Sequence, residues 1–288
     1  MVHVRQGQAP CTFRAATWVR SDAPSRWTRR GDAEPAWVEP TRWDDVVEEL
    51  DAVARSTDPV VPAPILSPPL PESWTPGANS EAALALVDDT ASGTHLPLTW
   101  ESSTAGGTAW LVERSGGRDQ VIAWLRDLLV ASGEPVLHLD GLGQSAETPE
   151  GWSTWSPDPD PALPDRVISA VADLAESGGT LLVTGWGAWT GLRCPRTYRG
   201  MDELLLQQLT SGAGHRLRVA ALGGRDLATS RLIAHLPRRL YVPAGTTVEQ
   251  RVTWPRLTEV LPVPGRAVLV DPGHPEPGVP AQLAFPAA

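Results

Sequence analysis

The segment ALALVDDTASGTHLPLTWESSTAGGTAWLVERSGGR, Ala83 to Arg118, holds two short apolar runs, Leu84–Val87 and Ala109–Val112, and ends on the pair Gly116-Gly117 before Arg118. Directly beyond it, Arg118 to Ala131 reads as an amphipathic helix. A short apolar run, a glycine turn and a helix make up the repeating unit of a mostly parallel sheet covered by helices.

Working outward, the same alternation continues. Further strands are expected at Val136–Leu139, Thr180–Val183, Leu217–Leu222 and Leu240–Val242, with short closing strands at Ala267–Val270 and Gln282–Phe285. Helices are expected at Pro164–Ser177, Met201–Thr210 and Arg225–Leu236, each flanked by Gly, Ser or Pro. Toward the amino end the pattern changes. Pro59 to Pro76 contains Pro59, Pro62, Pro64, Pro68, Pro69, Pro71 and Pro76, a density that only an extended connector tolerates. Before it, Thr41 is placed to cap a helix that ends near Arg55, and a strand-like stretch spans Phe13 to Val19. The chain therefore divides into an arm and helix (1–58), a proline-rich linker (59–78) and an α/β domain (79–288).

Composition narrows the chemistry. All 24 residues in the Lys+Arg count are Arg, so a lysine at a phosphate loop, a Schiff-base amine and a lysine base are excluded. The near absence of Asn, with 26 Gly and 29 Pro, suggests a GC-rich, actinobacterial-type genome. A net charge of -10 disfavours nucleic acid, whose affinity rests on neutralised phosphates. Six arginines between Arg5 and Arg30 read as a solvated arm. Cys11 and Cys194 are far apart and in no metal spacing, so neither a disulfide framework nor a metal site is expected. No apolar run reaches the roughly 18 residues of a membrane span, which points to a cytoplasmic protein reaching any membrane complex by recruitment.

Three landmarks carry a family resemblance. Leu86-Val87-Asp88-Asp89, then Pro97-Leu98, then Ala109-Trp110-Leu111-Val112, stand in the order of the opening of FtsK/SpoIIIE-type ATPase domains. Leu181-Leu182-Val183-Thr184-Gly185-Trp186-Gly187 is similar to that family's Walker B strand and turn. Ala220 to Leu227 is similar to its sensor strand. The chain thus resembles these domains from about Asn79 to Phe285, particularly the C-terminal ATPase domains of type VII secretion motors. The resemblance implies a RecA-like P-loop NTPase fold with a small N-terminal appendage, oligomeric assembly, and a partner that is an active motor subunit or a secretion substrate.

Against the loop pattern G-x-x-x-x-G-K-[ST], Val112 replaces the first Gly, Gly117 keeps the second, Arg118 replaces Lys and Asp119 replaces Ser/Thr. Thr184 stands where the Walker B carboxylate belongs, and Gly185, Trp186, Gly187, Ala188 and Trp189 add no acid. The vestigial nucleotide site is accordingly Ser115, Gly116, Gly117, Arg118, Asp119 and Thr184, with no catalytic or metal-binding residue. No cofactor is expected, although the helix start after Gly117 keeps amide donors to which an anion such as ATP·Mg would be drawn. In the competing reading, Asp119 caps that helix as an internal carboxylate in place of phosphate.

Other chemistry is sparse. His138 beside Asp140 fits acid–base work or a hydrogen-bonded core histidine. His95, His215, His235 and His274 have no ligand spacing, and Ser115 has no nearby base. Trp152, Trp155, Trp186 and Trp189 are expected to be exposed and to mark a binding surface, with packing of loops on the core as the other reading. Two functions follow: a catalytically degenerate interaction or regulatory module, or an ATPase that uses Arg118 in place of lysine.

Overall fold

The computed structural model describes residues 2–6, 9–13, 68–77, 82–89, 92–100, 107–144, 148–211 and 216–284. The chain divides into two compact units, Met1–Pro62 and Ala63–Ala288. In the first, β1 (Val2–Gln6) and β2 (Ala9–Phe13) form an antiparallel hairpin. The helix expected at Thr41–Arg55, and the strand expected beyond Phe13, lie outside the described residues.

The second unit is built on one mixed sheet. In chain order its elements are β3 (Ala83–Asp89), β4 (Thr94–Thr99), β5 (Thr108–Leu111), α1 (Arg118–Ser132), β6 (Val136–Asp140), β7 (Trp152–Trp155), α2 (Leu163–Ser177) and β8 (Gly179–Thr184). Then follow α3 (Trp186–Thr190), α4 (Met201–Thr210), β9 (Leu217–Gly223), α5 (Arg225–Ala228), β10 (Arg238–Tyr241), α6 (Val248–Arg251), β11 (Arg266–Val270) and β12 (Val279–Leu283). The ten strands run in the order β4-β3-β12-β11-β10-β5-β9-β8-β6-β7. From β10 to β7 every pairing is parallel, and from β10 to β4 every pairing is antiparallel.

The parallel half is a filled sandwich. Along β5, Trp110 faces a core that includes Val121, Leu125 and Leu129 of α1, whereas Ala109 and Leu111 face one that includes Val167 and Val171 of α2 and Leu205 of α4. The same alternation in β8 turns Leu182 to α1 and Leu181 and Val183 to α2. Burial on both faces explains why these strands read as continuous apolar runs.

Several expectations shift for local reasons. The helix expected at Arg225–Leu236 breaks after Ala228, because Thr229 Oγ1 donates to the Arg225 carbonyl at 2.9 Å and Ser230 Oγ to the Leu227 carbonyl at 2.8 Å. The chain resumes as a 3-10 turn at Arg231–His235. The closing strand begins earlier than expected, at Val279, and Pro280 sits in β12 where it pairs with β11 before the β3 pairing starts at Ala281. Pro97 is tolerated in β4 because that strand is the sheet edge. The segment 68–77 contains no helix: Arg266 Nη2 donates to the Leu70 and Pro71 carbonyls, and Trp74 bridges to Ala284.

Leu182, fully buried in the middle of the parallel half, is expected to cost about 2–5 kcal/mol when changed to Ala. The check is the urea midpoint at unchanged m-value, set against Leu96→Ala, a half-exposed position where the change should stay within about 0.5 kcal/mol.

Candidate functional site

Parallel register brings the strand ends together. Leu111 of β5 pairs with Gly223 of β9, Leu222 of β9 pairs with Thr184 of β8, and Thr184 pairs with Asp140 of β6. The turns that follow β5, β6, β8, β9 and β10 therefore share one edge of the sheet, the place where open α/β sheets bind ligands. Ser115 to Asp119 and Thr184 are brought to that edge with β9 between their strands.

The loop after β5 is closed on itself. A 3-10 turn at Arg114–Gly116 leads into α1 through Gly117, which takes φ 99. The Glu113 carbonyl accepts from Gly116 N at 2.9 Å and Arg118 N at 3.3 Å, and the Arg114 carbonyl accepts from Gly117 N at 3.3 Å. Those are amides that a phosphate cradle would aim outward. Behind them, Ser115 Oγ donates to the Gly245 carbonyl at 3.1 Å, and Gly116 lies so close to the Ala244 carbonyl that no side chain would fit.

Asp119 does not cap α1. The helix N-cap is Gly117, without a side-chain bond. The carboxylate instead lies between Arg114 Nε at 3.4 Å and Arg118 Nε at 3.8 Å, and it accepts from Gln144 Nε2 at 3.3 Å. The Arg118 contact is too long for a hydrogen bond, and the side chain is mostly covered, at 18% exposed. A carboxylate of the chain itself thus lies within ion-pair distance of both guanidinium groups of the loop, closer to Arg114 than to Arg118.

Thr184 belongs to a buried polar chain. Its Oγ1 donates to Asp140 Oδ1 at 3.2 Å and lies 3.2 Å from His138 Nε2. Because the hydroxyl's one hydrogen goes to the carboxylate, His138 donates from Nε2 as the neutral tautomer. Asp140 Oδ1 also accepts from Leu142 N at 3.1 Å and Gly143 N at 3.0 Å. Burial pushes the His138 pKa down from 6.5 to about 4; Asp140 opposes that shift and Arg126 adds to it. The two alternatives for His138 thus resolve toward a hydrogen-bonded core histidine in this chain of contacts.

Glu113 and Asp226 are site-edge acids that sequence reasoning passed over, whereas Asp140 was noted only as the neighbour of His138. The Glu113 carboxylate abuts Gly224, and Asp226 receives Gly187 N at 2.7 Å and Gly224 N at 3.0 Å, tying the β9 turn to α3. Asp140 had a visible signal, its place beside His138 at a strand end. Glu113 and Asp226 had none, since Glu113 abuts Gly224 and Asp226 reaches Gly187, both distant in sequence, and the local Gly224–Asp226 contact alone marks no site.

Of the two readings of the tryptophans, exposure is overturned and packing on the core holds. Trp186 and Trp189 are 1% and 0% exposed, Trp152 is buried, and Trp155 is half-buried under the Arg166 guanidinium. Trp186 and Trp189 lie one turn apart in α3, and that spacing turns both rings into the core shared with α2 and α4. Among the described residues no group of His, Cys, Asp or Glu is arranged to hold a metal. No helix among them is long and apolar enough to cross a membrane. A separate hollow of about 330 Å³, bounded by Tyr241, Pro243, Arg251, Trp254 and Glu259, opens beside β10 and is near the lower limit for small-molecule sites.

His138 gives the edge a pH signature. An unfolded histidine takes up a proton near pH 6.5, whereas the folded one resists until about pH 4. The stability it contributes is therefore present above pH 6.5 and is lost as pH falls toward 4, by up to about 3 kcal/mol. Urea midpoints of the unmodified chain and His138→Gln across pH 7.5 to 4.5 should differ in slope in that window, the variant being the flatter.

No known family profile matches the sequence, and no curated protein matches it. Solved structures match the fold. The cytoplasmic domain of the type VII secretion ATPase EccC of Thermomonospora curvata superposes with TM-score 0.54 at 12% identity, over 76% of this chain and 28% of that one. ATPases 2 and 3 of the same EccC, solved with a signal sequence peptide, give 0.52 at 14% identity, over 77% and 45%. ATPases 2 and 3 of EssC from Geobacillus thermodenitrificans give 0.52 at 12% identity, over 84% and 50%. The chain thus spans between about a quarter and a half of those proteins. Its fold is that of P-loop ATPase domains, α/β with one mixed central sheet.

Proposed function

We propose that this chain is a catalytically degenerate ATPase-type domain that serves as a protein-interaction or regulatory module of a secretion or translocation motor, recruited to it by a protein partner. The observation that carries this reading is the self-closed loop. The Gly116, Gly117 and Arg118 amides are spent on the Glu113 and Arg114 carbonyls, and the Asp119 carboxylate lies within ion-pair distance of Arg114 and Arg118. A magnesium-bound triphosphate does not suit this donor set: its oxygens would meet a carboxylate where a hydroxyl should share the metal, and Thr184 offers no charge to orient the metal's water shell. The partner half of the proposal is supported by the fold likeness to a secretion ATPase solved with a signal sequence peptide.

The test is phosphate release at millimolar ATP and Mg²⁺, with and without a candidate partner. The expected result is no turnover above background. Arg118→Lys with Asp119→Thr should not rescue it, because without a carboxylate at Thr184 the transition state still lacks several kcal/mol of charge stabilisation. Robust turnover that disappears in Arg118→Ala would establish instead the ATPase that uses arginine in place of lysine.

A further inference from the structure

The loop joining α3 to α4, Gly191 to Gly200, contrasts locally with the charge of the chain. The chain carries a net charge of -10, yet this loop holds Arg193, Arg196 and Arg199 and no acid. All residues from Pro195 to Arg199 are exposed, and Tyr198 is 78% exposed. Tyr198 also takes φ 55, and among the described residues no other non-glycine has a positive φ.

The loop is firmly held in this shape. Arg193 bridges to Gly200, Cys194 N donates to the Arg199 carbonyl at 3.0 Å, and Tyr198 N donates to the Cys194 carbonyl at 2.8 Å. Its base is anchored by buried Cys194, whose thiol donates to Asp165 Oδ1 at 3.2 Å, while Arg196 Nε donates to Asp165 Oδ2 at 3.0 Å. Arg199 is engaged with Glu203 at 3.3 Å and Gln207 at 2.7 Å. Among the described residues, Arg193 reaches the Tyr198 carbonyl, at 3.3 Å, and makes no ion pair.

Left-handed backbone is unfavourable for a bulky side chain and free for glycine. A largely exposed ring returns little packing to this fold, so its return lies in contact with something outside the chain. Tyrosine and arginine are the residue types that dominate binding energy at protein interfaces. We propose that loop 191–200 is a docking surface for an acidic segment of a partner protein, with Tyr198 as its apolar anchor and Arg193 as its charge contact. Charge complementarity favours a short acidic segment over a nucleic acid. The loop's attraction acts within a Debye length of about 8 Å at physiological salt, whereas an extended polyanion would also meet the net negative remainder of the chain. This goes beyond the degenerate-module reading and rests on it only in expecting a protein partner; a failure here leaves the phosphate-release result untouched.

The experiment is fluorescence anisotropy with a labelled Glu/Phe peptide, a Lys/Phe peptide and a single-stranded DNA of equal negative charge, with sedimentation of the protein alone. The Glu/Phe peptide should bind at low salt and weaken as salt rises. Tyr198→Gly and Arg193→Glu should each weaken it about tenfold, while Arg256→Glu, an exposed charge reversal outside the loop, should not. Tyr198→Gly should melt no lower than the unmodified chain, since glycine takes φ 55 without strain, so its loss of binding would not reflect unfolding. The proposal is overturned by no binding, by equal loss in Arg256→Glu, by binding that survives both loop variants, or by tighter binding to the DNA. It is equally overturned by self-association that Arg193→Glu abolishes, which would make a second copy the occupant.

Discussion

The in-register parallel pairing of β6, β8, β9, β5 and β10 is the constraint from which the rest of the carboxyl edge follows. Strands in register end at the same height, so the five following turns must share one crowded strip about 4.8 Å per strand wide. Gly185 takes φ 61 directly after β8, and Gly141 after β6 lies so close to the Thr184 and Gly185 carbonyls that a side chain has no room. The turn after β10 backs onto Ser115 and Gly116, and the turn after β9 backs onto Glu113. The turns occupy one another's space where such a sheet ordinarily offers a ligand a crevice.

That crowding sets the polar chemistry of the edge. A buried carboxylate is tolerable only with donors, and Asp140 has a hydroxyl and two amides on one oxygen. The hydroxyl is supplied by Thr184, at the β8 position where the resembled ATPases carry their own carboxylate. Register places Asp140 directly opposite Thr184, so one acid on β6 and one alcohol on β8 form a hydrogen-bonded pair side by side. A second acid at Thr184 would confront Asp140 at hydrogen-bond range, and two carboxylates that close resist ionising together. Asp140 and Thr184 are thus mutually consistent, and restoring the metal-orienting acid on β8 would disturb the carboxylate on β6.

Much of the fold was legible because both faces of the parallel strands are buried: Leu181–Val183 and Ala109–Leu111 announce themselves as apolar runs, and glycines bracket the helices. β7 escaped notice because its Trp-Ser-Thr-Trp lies at an edge and shows no run, and α3 because a five-residue helix has no period. The loop was readable in the sequence as a resemblance to the phosphate-loop pattern, with Arg118 and Asp119 at its Lys and Ser/Thr positions. Its closure was not, since it depends on carbonyls of Glu113 and Arg114 and on the Ala244–Gly245 turn, more than a hundred residues away. The tryptophans misled for a related reason: aromatic residues in a turn-rich segment suggest surface, whereas the one-turn spacing of Trp186 and Trp189 buries both against α2 and α4.

On the proposed reading, the separation between what holds this sheet and what would act on a nucleotide explains how the fold persists without ligand-handling residues. The core asks only for apolar side chains of fitting volume on alternating positions, a demand many sequences meet, as the fold likeness at 12 to 14% identity illustrates. In a working phosphate loop the bound anion itself supplies the negative charge that gathers the loop's cation and amides. Here Asp119 supplies that charge covalently, and the loop is ordered without a ligand. On the proposed reading, no nucleotide is left to change the state of this edge, so any signal the domain passes to a motor must enter through its surface rather than through its vestigial site.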